Sequence, residues 1–333
     1  METILVTGAT GFLGKYVIKE SEKENVKIIA IGRRENIGNS LKSDKTEFYK
    51  IDFSNIEELE KLFKSHKIDK VIHAGALSSA WGKWEDFYNS NVLGTENIAK
   101  MCLKYNIKRL VYISSPSVYT EKKDRLNIKE DEVDETNELN YYIKTKIMSE
   151  KLLQDYIEKG LYTVILRPRG LIGIGDPSLI PRLLNANSKI GIPIFNEGKN
   201  LVDITCVENV AYACVLALNA KNIKGEVFNI TNGEQAKFKD ILENFLYAID
   251  EKPKYLKLPF GLLYGVACIT EKIFKTFNIE KEPTLTRYTV CTLGFSQTLN
   301  IEKAKEKLGY KPKITLEEGI NAYGKWWKEN KKN

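Results

Sequence analysis

Two side chains able to do acid–base chemistry stand four residues apart in NYYIKTK, residues 140 to 146: the phenol of Tyr142 and the ammonium of Lys146. On a helix, four residues make about one turn and bring both groups to one face. An isolated phenol has a pKa of about 10 and is a poor base at neutral pH. A cation beside it stabilises the phenolate, lowers that pKa and makes the tyrosine a usable acid or base. The plain alternative is an exposed helix start, in which the pair is two solvated side chains. What the rest of the chain brings to that face decides between them.

The first loop offers a seat for a phosphate. TGATGFLG follows the hydrophobic run ETILVT and opens an amphipathic helix, with Gly8, Gly11 and Gly14 in a G-x-x-G-x-x-G spacing. Glycines there let the backbone turn tightly, approach a pyrophosphate and pack helix on strand, and the helix N-terminus presents free N–H groups to the anion. Gly8, Thr10, Gly11, Phe12, Leu13 and Gly14 are therefore expected against a dinucleotide. A dinucleotide fingerprint expects an acid at the end of the second strand, but that strand ends IIAIGRREN, with Gly32, Arg33 and Arg34. An acid would repel a 2′-phosphate, whereas guanidinium groups accept it, so NADP(H) is favoured. Glu35 keeps NAD(H) as the alternative. At later strand ends, Asp52 and Phe53 would bracket the adenine edge and face. Ala74, Gly75 and Ala76 put small residues where the backbone nears the cofactor. His73 reads as a satisfied structural histidine, and no metal site is expected.

Positioning these groups requires a particular order of elements. β-branched runs at ETILVT, VKIIAI, EFYKI, KVIHA, RLVYIS and YTVILR alternate with helical patterns around 12–23, 55–66, 84–105 and 141–159. That alternation predicts an α/β fold, a Rossmann-type doubly wound parallel sheet with helices on both faces. After YTVILR the pattern loosens, and GEVFNIT reads as one further strand. The expected division is a nucleotide-binding domain over 1–170 plus about 200–231. A smaller, mostly helical, discontinuous substrate cap takes about 171–199 plus 232–333, with TRYTVCTLGF as a connection.

With 333 residues and 43% hydrophobics, the chain can bury a large core and is not disordered. Its net charge of +7 is spread along the chain and reads as a solvated surface, so no nucleic-acid partner is expected. Cys102, Cys206, Cys214, Cys268 and Cys291 occur singly, as reduced thiols of a cytoplasmic protein do. The most apolar segment, LPFGLLYGVACIT (258–270), is too short to span a bilayer and runs into Glu271 and Lys272. It reads as a core helix or a lid over a greasy substrate, with peripheral membrane contact as the lesser alternative.

With TGATGFLG, HAGAL, NVLGT, ISSPSVY and YIKTK in this order, the chain resembles the extended short-chain dehydrogenase/reductases over nearly its whole length. The resemblance implies that a serine, a tyrosine and a lysine do the chemistry. Tyr142 and Lys146 match the last two; Ser115, four residues before Tyr119, matches the first, with Ser117 a poorer substitute. Asn91 is implied to fix the loops around the cofactor, Ser114 to border it, and Pro168, Arg169, Gly170 and Leu171 to line the nicotinamide. The closer likeness is to 3β-hydroxysteroid dehydrogenase-like reductases, including bacterial ketoreductases of the long-chain olefin pathway. It rests on ALSSAWG, SSPSVY, LRPRGLIGIGD, NLVDITCVENVA, EPTLTRYTV and LGYKPKITLEEGI. Gly75 departs from the alanine expected there and reads as harmless. A homodimer is the family-level expectation.

On this reading Lys146 tunes Tyr142 and also hydrogen-bonds the nicotinamide ribose, while Ser115 holds the substrate oxygen. The favoured function is an NAD(P)(H)-dependent oxidoreductase interconverting a secondary alcohol and a ketone on a hydrophobic, sterol-like or long-chain substrate, with Trp81, Trp84 and Phe87 near it. A nucleotide-sugar epimerase or dehydratase with tightly held NAD is the alternative, and would use Arg182 and Lys189 for a second pyrophosphate. A non-catalytic dinucleotide sensor is the third, disfavoured because such proteins commonly lose the tyrosine or lysine.

Overall fold

The structure is a computed structural model and describes residues 1–330. The β-branched runs form β1 (Glu2–Thr7), β2 (Val26–Gly32), β3 (Thr46–Lys50), β4 (Lys70–His73), β5 (Arg109–Ile113), β6 (Thr163–Pro168) and β7 (Val227–Ile230). All pair in parallel, in the order β7-β6-β5-β4-β1-β2-β3. The chain reverses direction across the sheet between β1 and β4, which opens a crevice beyond their C-terminal ends, where such sheets bind ligands.

Successive strand residues point to opposite faces, so two separate cores form. Ile4, Val6, Ile28 and Ala30 face one side, under helices α1 (Phe12–Ser21) and, later in the chain, α5 (Val207–Asn219). Leu5, Ile29 and Ile31 face the other, under α2 (Ile56–Ser65), α3 (Gly94–Lys104) and α4 (Tyr141–Glu158). The doubly wound parallel sheet expected from alternation is thus present. The predicted helix over 84–105 is one helical run broken by a π-helical turn at Tyr88–Leu93, after a short α-helical start at Trp84–Phe87. Such turns are common at functional sites, because the extra residue swings a side chain out of helical register.

Beyond β6 the chain builds small sheets and helices over the crevice. Leu201–Val202 lies between Ala236–Lys237 and Gln297–Leu299, and the last of these pairs with Arg125–Ile128. TRYTVCTLGF, expected as a connection, contains the helix Arg287–Gly294 instead. The Thr286 hydroxyl caps it by accepting the Thr289 N–H at 3.1 Å, and Val290 and Cys291 are buried beneath it. The apolar segment at 258–270 belongs to α6 (Phe260–Thr276) and is no core helix. Leu263 and Ala267 pack on Phe195 and Val290, while the opposite face looks outward. Among the described residues, no helix is long and apolar enough to cross a membrane. All five cysteines are free thiols, four of them buried.

Candidate active site

α4 begins beside the crevice because Asn140 caps it, its side-chain Oδ1 accepting the Ile143 N–H at 2.8 Å. This sets Tyr142 in the first turn and Lys146 one turn deeper. Lys146 is almost fully buried against β5, donating to the Ile113 carbonyl at 2.7 Å and to the Tyr112 hydroxyl at 3.1 Å. Its Nζ lies 6.0 Å from the centre of the Tyr142 ring. An ammonium has three N–H donors, so one remains for a ligand. Ser115, extended just past β5, accepts the Ser117 N–H at 3.2 Å and hydrogen-bonds the Tyr142 phenol. The topology therefore brings Ser115, Tyr142 and Lys146 together. Ser117 is buried and its hydroxyl has no partner among the described residues.

The electrostatics differ from the expectation. Burial pushes the Tyr142 phenol up to about 12, against the opposing hydrogen bond from Ser115, with Tyr288 adding to the rise. Burial also drags Lys146 down to about 7, with Glu150 pulling it back. The predicted lowering of the phenol by the ammonium is thus reversed. The same low-dielectric setting penalises both ions. Tyr142 is a protonated phenol at neutral pH.

A polar scaffold holds these groups in place. Asn91, on the π-helical turn, accepts the Leu77 N–H at 2.7 Å and donates to the Leu77 carbonyl at 3.1 Å and the Thr145 hydroxyl at 3.0 Å. It therefore ties the loop after β4 to α4, and Ser149 donates back to the Asn91 carbonyl at 2.8 Å. Glu150 accepts from Ser114 at the end of β5 and pairs with Arg167 of β6 at 2.5 Å. Tyr141 turns the other way, meeting Trp84 and Phe87 edge-on, and Lys144 bonds Glu138 at 2.6 Å. Tyr112, Thr145, Glu150, Arg167 and Tyr288 were missed by sequence reasoning. Only Glu150 carried a signal, one helical turn beyond Lys146.

The crevice fits a dinucleotide. Gly8 is left-handed (φ +65°), and a Cβ there would come within 2.6 Å of the Gly75 Cα; a Cβ on Gly14 would stand 2.2 Å from the Gly8 carbonyl oxygen. Gly11 caps α1 without a side chain, leaving the first-turn N–H groups of Phe12 and Leu13 toward the crevice. The Arg34 guanidinium donates to the Thr10 carbonyl, and exposed Arg33 stands 3.8 Å from the Asp52 carboxylate. Asp52 also accepts from Ser54, and Glu35 is paired with Lys50 at 3.1 Å. The Phe53 ring packs inward, edge-on to His73 and between Gly75 and Gly94. Gly75 is therefore not idle, since a Cβ there would meet the Phe53 ring at 2.4 Å. Ala74 and Ala76 flank it along the crevice wall. His73 bonds the Thr7 and Thr95 hydroxyls at 2.6 and 3.1 Å, and burial holds it neutral, down to about 3.

At the end of β6, Pro168 leads into Arg169, Gly170 (φ +50°) and Leu171, which pairs with Thr205. Arg169 is buried. One terminal nitrogen donates to Gln297, its Nε has no partner among the described residues, and Asp203 and Tyr288 are its electrostatic neighbours. Burial raises the Asp203 carboxyl to about 6, opposed by the Leu299 N–H that it accepts at 2.6 Å and by Arg169. Tyr288 is thus an electrostatic neighbour of both Arg169 and Tyr142.

The fold has counterparts among known proteins. A family model described as the NAD dependent epimerase/dehydratase family matches residues 4–231. The chain is 32% identical to a decarboxylating sterol-4-alpha-carboxylate 3-dehydrogenase of Schizosaccharomyces pombe, over 100% of this chain and 99% of that one. It is 29% identical to a 2-alkyl-3-oxoalkanoate reductase of Shewanella oneidensis, over 95% of this chain and 84% of that one. A crystal structure of a Bacillus cereus UDP-glucuronic acid 4-epimerase in complex with NAD superposes with a TM-score of 0.77 at 25% identity, covering 98% and 99% of the two chains.

Proposed function

Because the chain belongs to the NAD dependent epimerase/dehydratase family and is an enzyme of the extended short-chain dehydrogenase/reductase type, we propose that it interconverts a secondary alcohol and a ketone on a hydrophobic substrate, using NADP(H). The observation that carries this reading is the Tyr142 phenol, bonded to Ser115 and one turn from Lys146, at the crevice where the sheet reverses. Bound along Gly8–Gly14, the nicotinamide cofactor would supply or accept a hydride at the carbon bearing the substrate oxygen. Ser115 donates a hydrogen bond to that oxygen and shares its developing charge. Tyr142, protonated at neutral pH, carries the proton that a reduction must deliver and takes it back in the reverse direction. The third N–H of Lys146 holds the ribose. Residues 1–170 with about 200–231 serve the cofactor, and about 171–199 with 232–333 serve the substrate, contributing Tyr288 and Gln297.

Arg33 and Arg34, at the end of β2 where a dinucleotide fingerprint has an acid, support NADP(H), and Glu35 is paired with Lys50 rather than with either arginine. The substrate names of the two relatives share one feature, a carboxylate on the carbon next to the one that is oxidised or reduced. Buried Arg169, with its unpartnered Nε, supports a substrate of that class here. The epimerase reading asks Arg182 and Lys189 to bind a second pyrophosphate; Lys189 is exposed, and Arg182 is paired with Glu282 at 2.8 Å, which favours the oxidoreductase.

Tyr142→Phe tests the proposal. NADPH oxidation with a long-chain 2-alkyl-3-oxo acid should fall by about 10²–10⁴-fold, the usual worth of a general acid, with NADPH affinity retained. Undiminished turnover in that variant would overturn the scheme.

A further inference from the structure

We propose that the outer face of α6 docks on an anionic lipid surface, seating the entrance of the active site against it. Five apolar side chains share this face: Leu262 (55% exposed), Val266 (45%), Ile269 (63%), Ile273 (46%) and, just past the helix end, Phe277 (72%). Their spacing of four, three, four and four residues makes one continuous stripe along a helix about 25 Å long. Six of the thirteen large apolar residues exposed among the described residues belong to this stripe or the turn after it, and a contiguous apolar patch of this kind marks an interaction site.

Charge selects the occupant. The acids of this edge are already committed: Glu271 to Arg287, Glu280 to Lys83 and Glu282 to Arg182. Lys122 and Lys257 near one end, and Lys272 and Lys281 near the other, have no carboxylate partner among the described residues; Lys122 lies over the Tyr264 ring. A second copy joined through this face would set lysines against lysines with no free acid to answer them. Anionic headgroups would answer them while the apolar stripe enters the acyl boundary, as an interfacial helix does.

The inner side of the same helix borders the catalytic helix. Phe274 meets Trp81 edge-on at 6.0 Å, the Trp81 indole N–H donates to the Ile279 carbonyl at 3.0 Å, and Lys275 stands 5.4 Å from the Tyr141 ring, next to Tyr142. Docking would thus bring the substrate entrance to a bilayer in which hydrophobic molecules dissolve.

The experiment is co-sedimentation of the full chain with vesicles of phosphatidylcholine, with and without phosphatidylglycerol, read without any activity assay so that it stands or falls apart from the proposed reaction. Wild type should bind the anionic vesicles, less so at high salt. Ile269→Glu with Ile273→Glu should weaken binding at least about tenfold, while Leu126→Glu, an exposed apolar site elsewhere, should not. Lys272→Gln with Lys281→Gln should weaken binding to anionic vesicles, which tests the proposal even if the glutamate pair fails to fold. Wild type that stays in the supernatant, or substituted forms that bind like wild type, would overturn it. So would a lipid-free dimer that the glutamate pair converts to monomer, since a second copy would then be the occupant.

Discussion

Gly75→Ala is a one-methyl change that reads as innocuous in the sequence, yet the structure assigns it a measurable cost. The new Cβ would lie 2.4 Å from Cε1 and 2.8 Å from Cζ of Phe53. Carbon atoms pack at about 3.5–4.0 Å, so the ring would have to retreat by about 1 Å. It has nowhere to go. Gly94 forms the opposite wall, where a Cβ would stand 2.5 Å from the same ring, and His73 packs edge-on at 5.1 Å. The backbone of Gly75 cannot yield either, because it already touches Gly8 of the phosphate loop. Overpacking of this kind costs about 1–3 kcal/mol, a drop of a few degrees in unfolding midpoint for a chain of this size. Phe53→Leu alone should also destabilise, by about 1–2 kcal/mol, through lost ring contacts. Combined, the two should be less damaging than their sum by about 1 kcal/mol, because the smaller side chain gives the methyl room. Urea and thermal unfolding of the four proteins measure this cycle. NADPH affinity should fall in Gly75→Ala alone if the loop is displaced. A Gly75→Ala protein as stable as wild type, or a strictly additive double variant, would refute the packing argument.

Three further expectations follow from the site. Arg33→Ala with Arg34→Ala should raise the Kd for NADPH by about tenfold to a hundredfold and leave NADH nearly unchanged, since a charged hydrogen bond is worth about 1.5–3 kcal/mol. Equal losses for both cofactors, measured by fluorescence titration, would remove the 2′-phosphate argument. Lys146 has its folded pKa lowered to about 7, so between that value and its ordinary one the unfolded chain binds the extra proton. Its burial penalty is therefore full below about pH 7 and disappears as pH rises toward about 10, so this residue's contribution makes stability increase across that window. Lys146→Met should flatten that slope in urea unfolding, and an unchanged slope would show that the ammonium is not penalised. Asn91→Leu would strip the Leu77 N–H and carbonyl of their partners, at about 1–3 kcal/mol for each buried group. Faster hydrogen exchange in the loop after β4 and at the start of α4 should accompany it; protection unchanged in both segments would count against the tie.

Relations within a few residues were legible in the amino-acid order alone. The glycine spacing after a buried strand, the alternation that makes a doubly wound sheet, and the one-turn offset of Tyr142 and Lys146 are all local, and local geometry follows from backbone period and sterics. Legibility ended where partners lie far apart in the chain. Residue 75 looks free until Phe53 and Gly94 close around it, and the helix at Arg287–Gly294 was hidden because its burial depends on α6. The sign of the Tyr142 shift was misread for the same reason. A sequence shows that a cation is near a phenol, but not that β5 and α4 bury both, and burial penalises each charged form. Arg169 meets Gln297 and Tyr288 only after more than a hundred residues have folded back over the crevice, and the two faces of α6 differ only because one of them is covered.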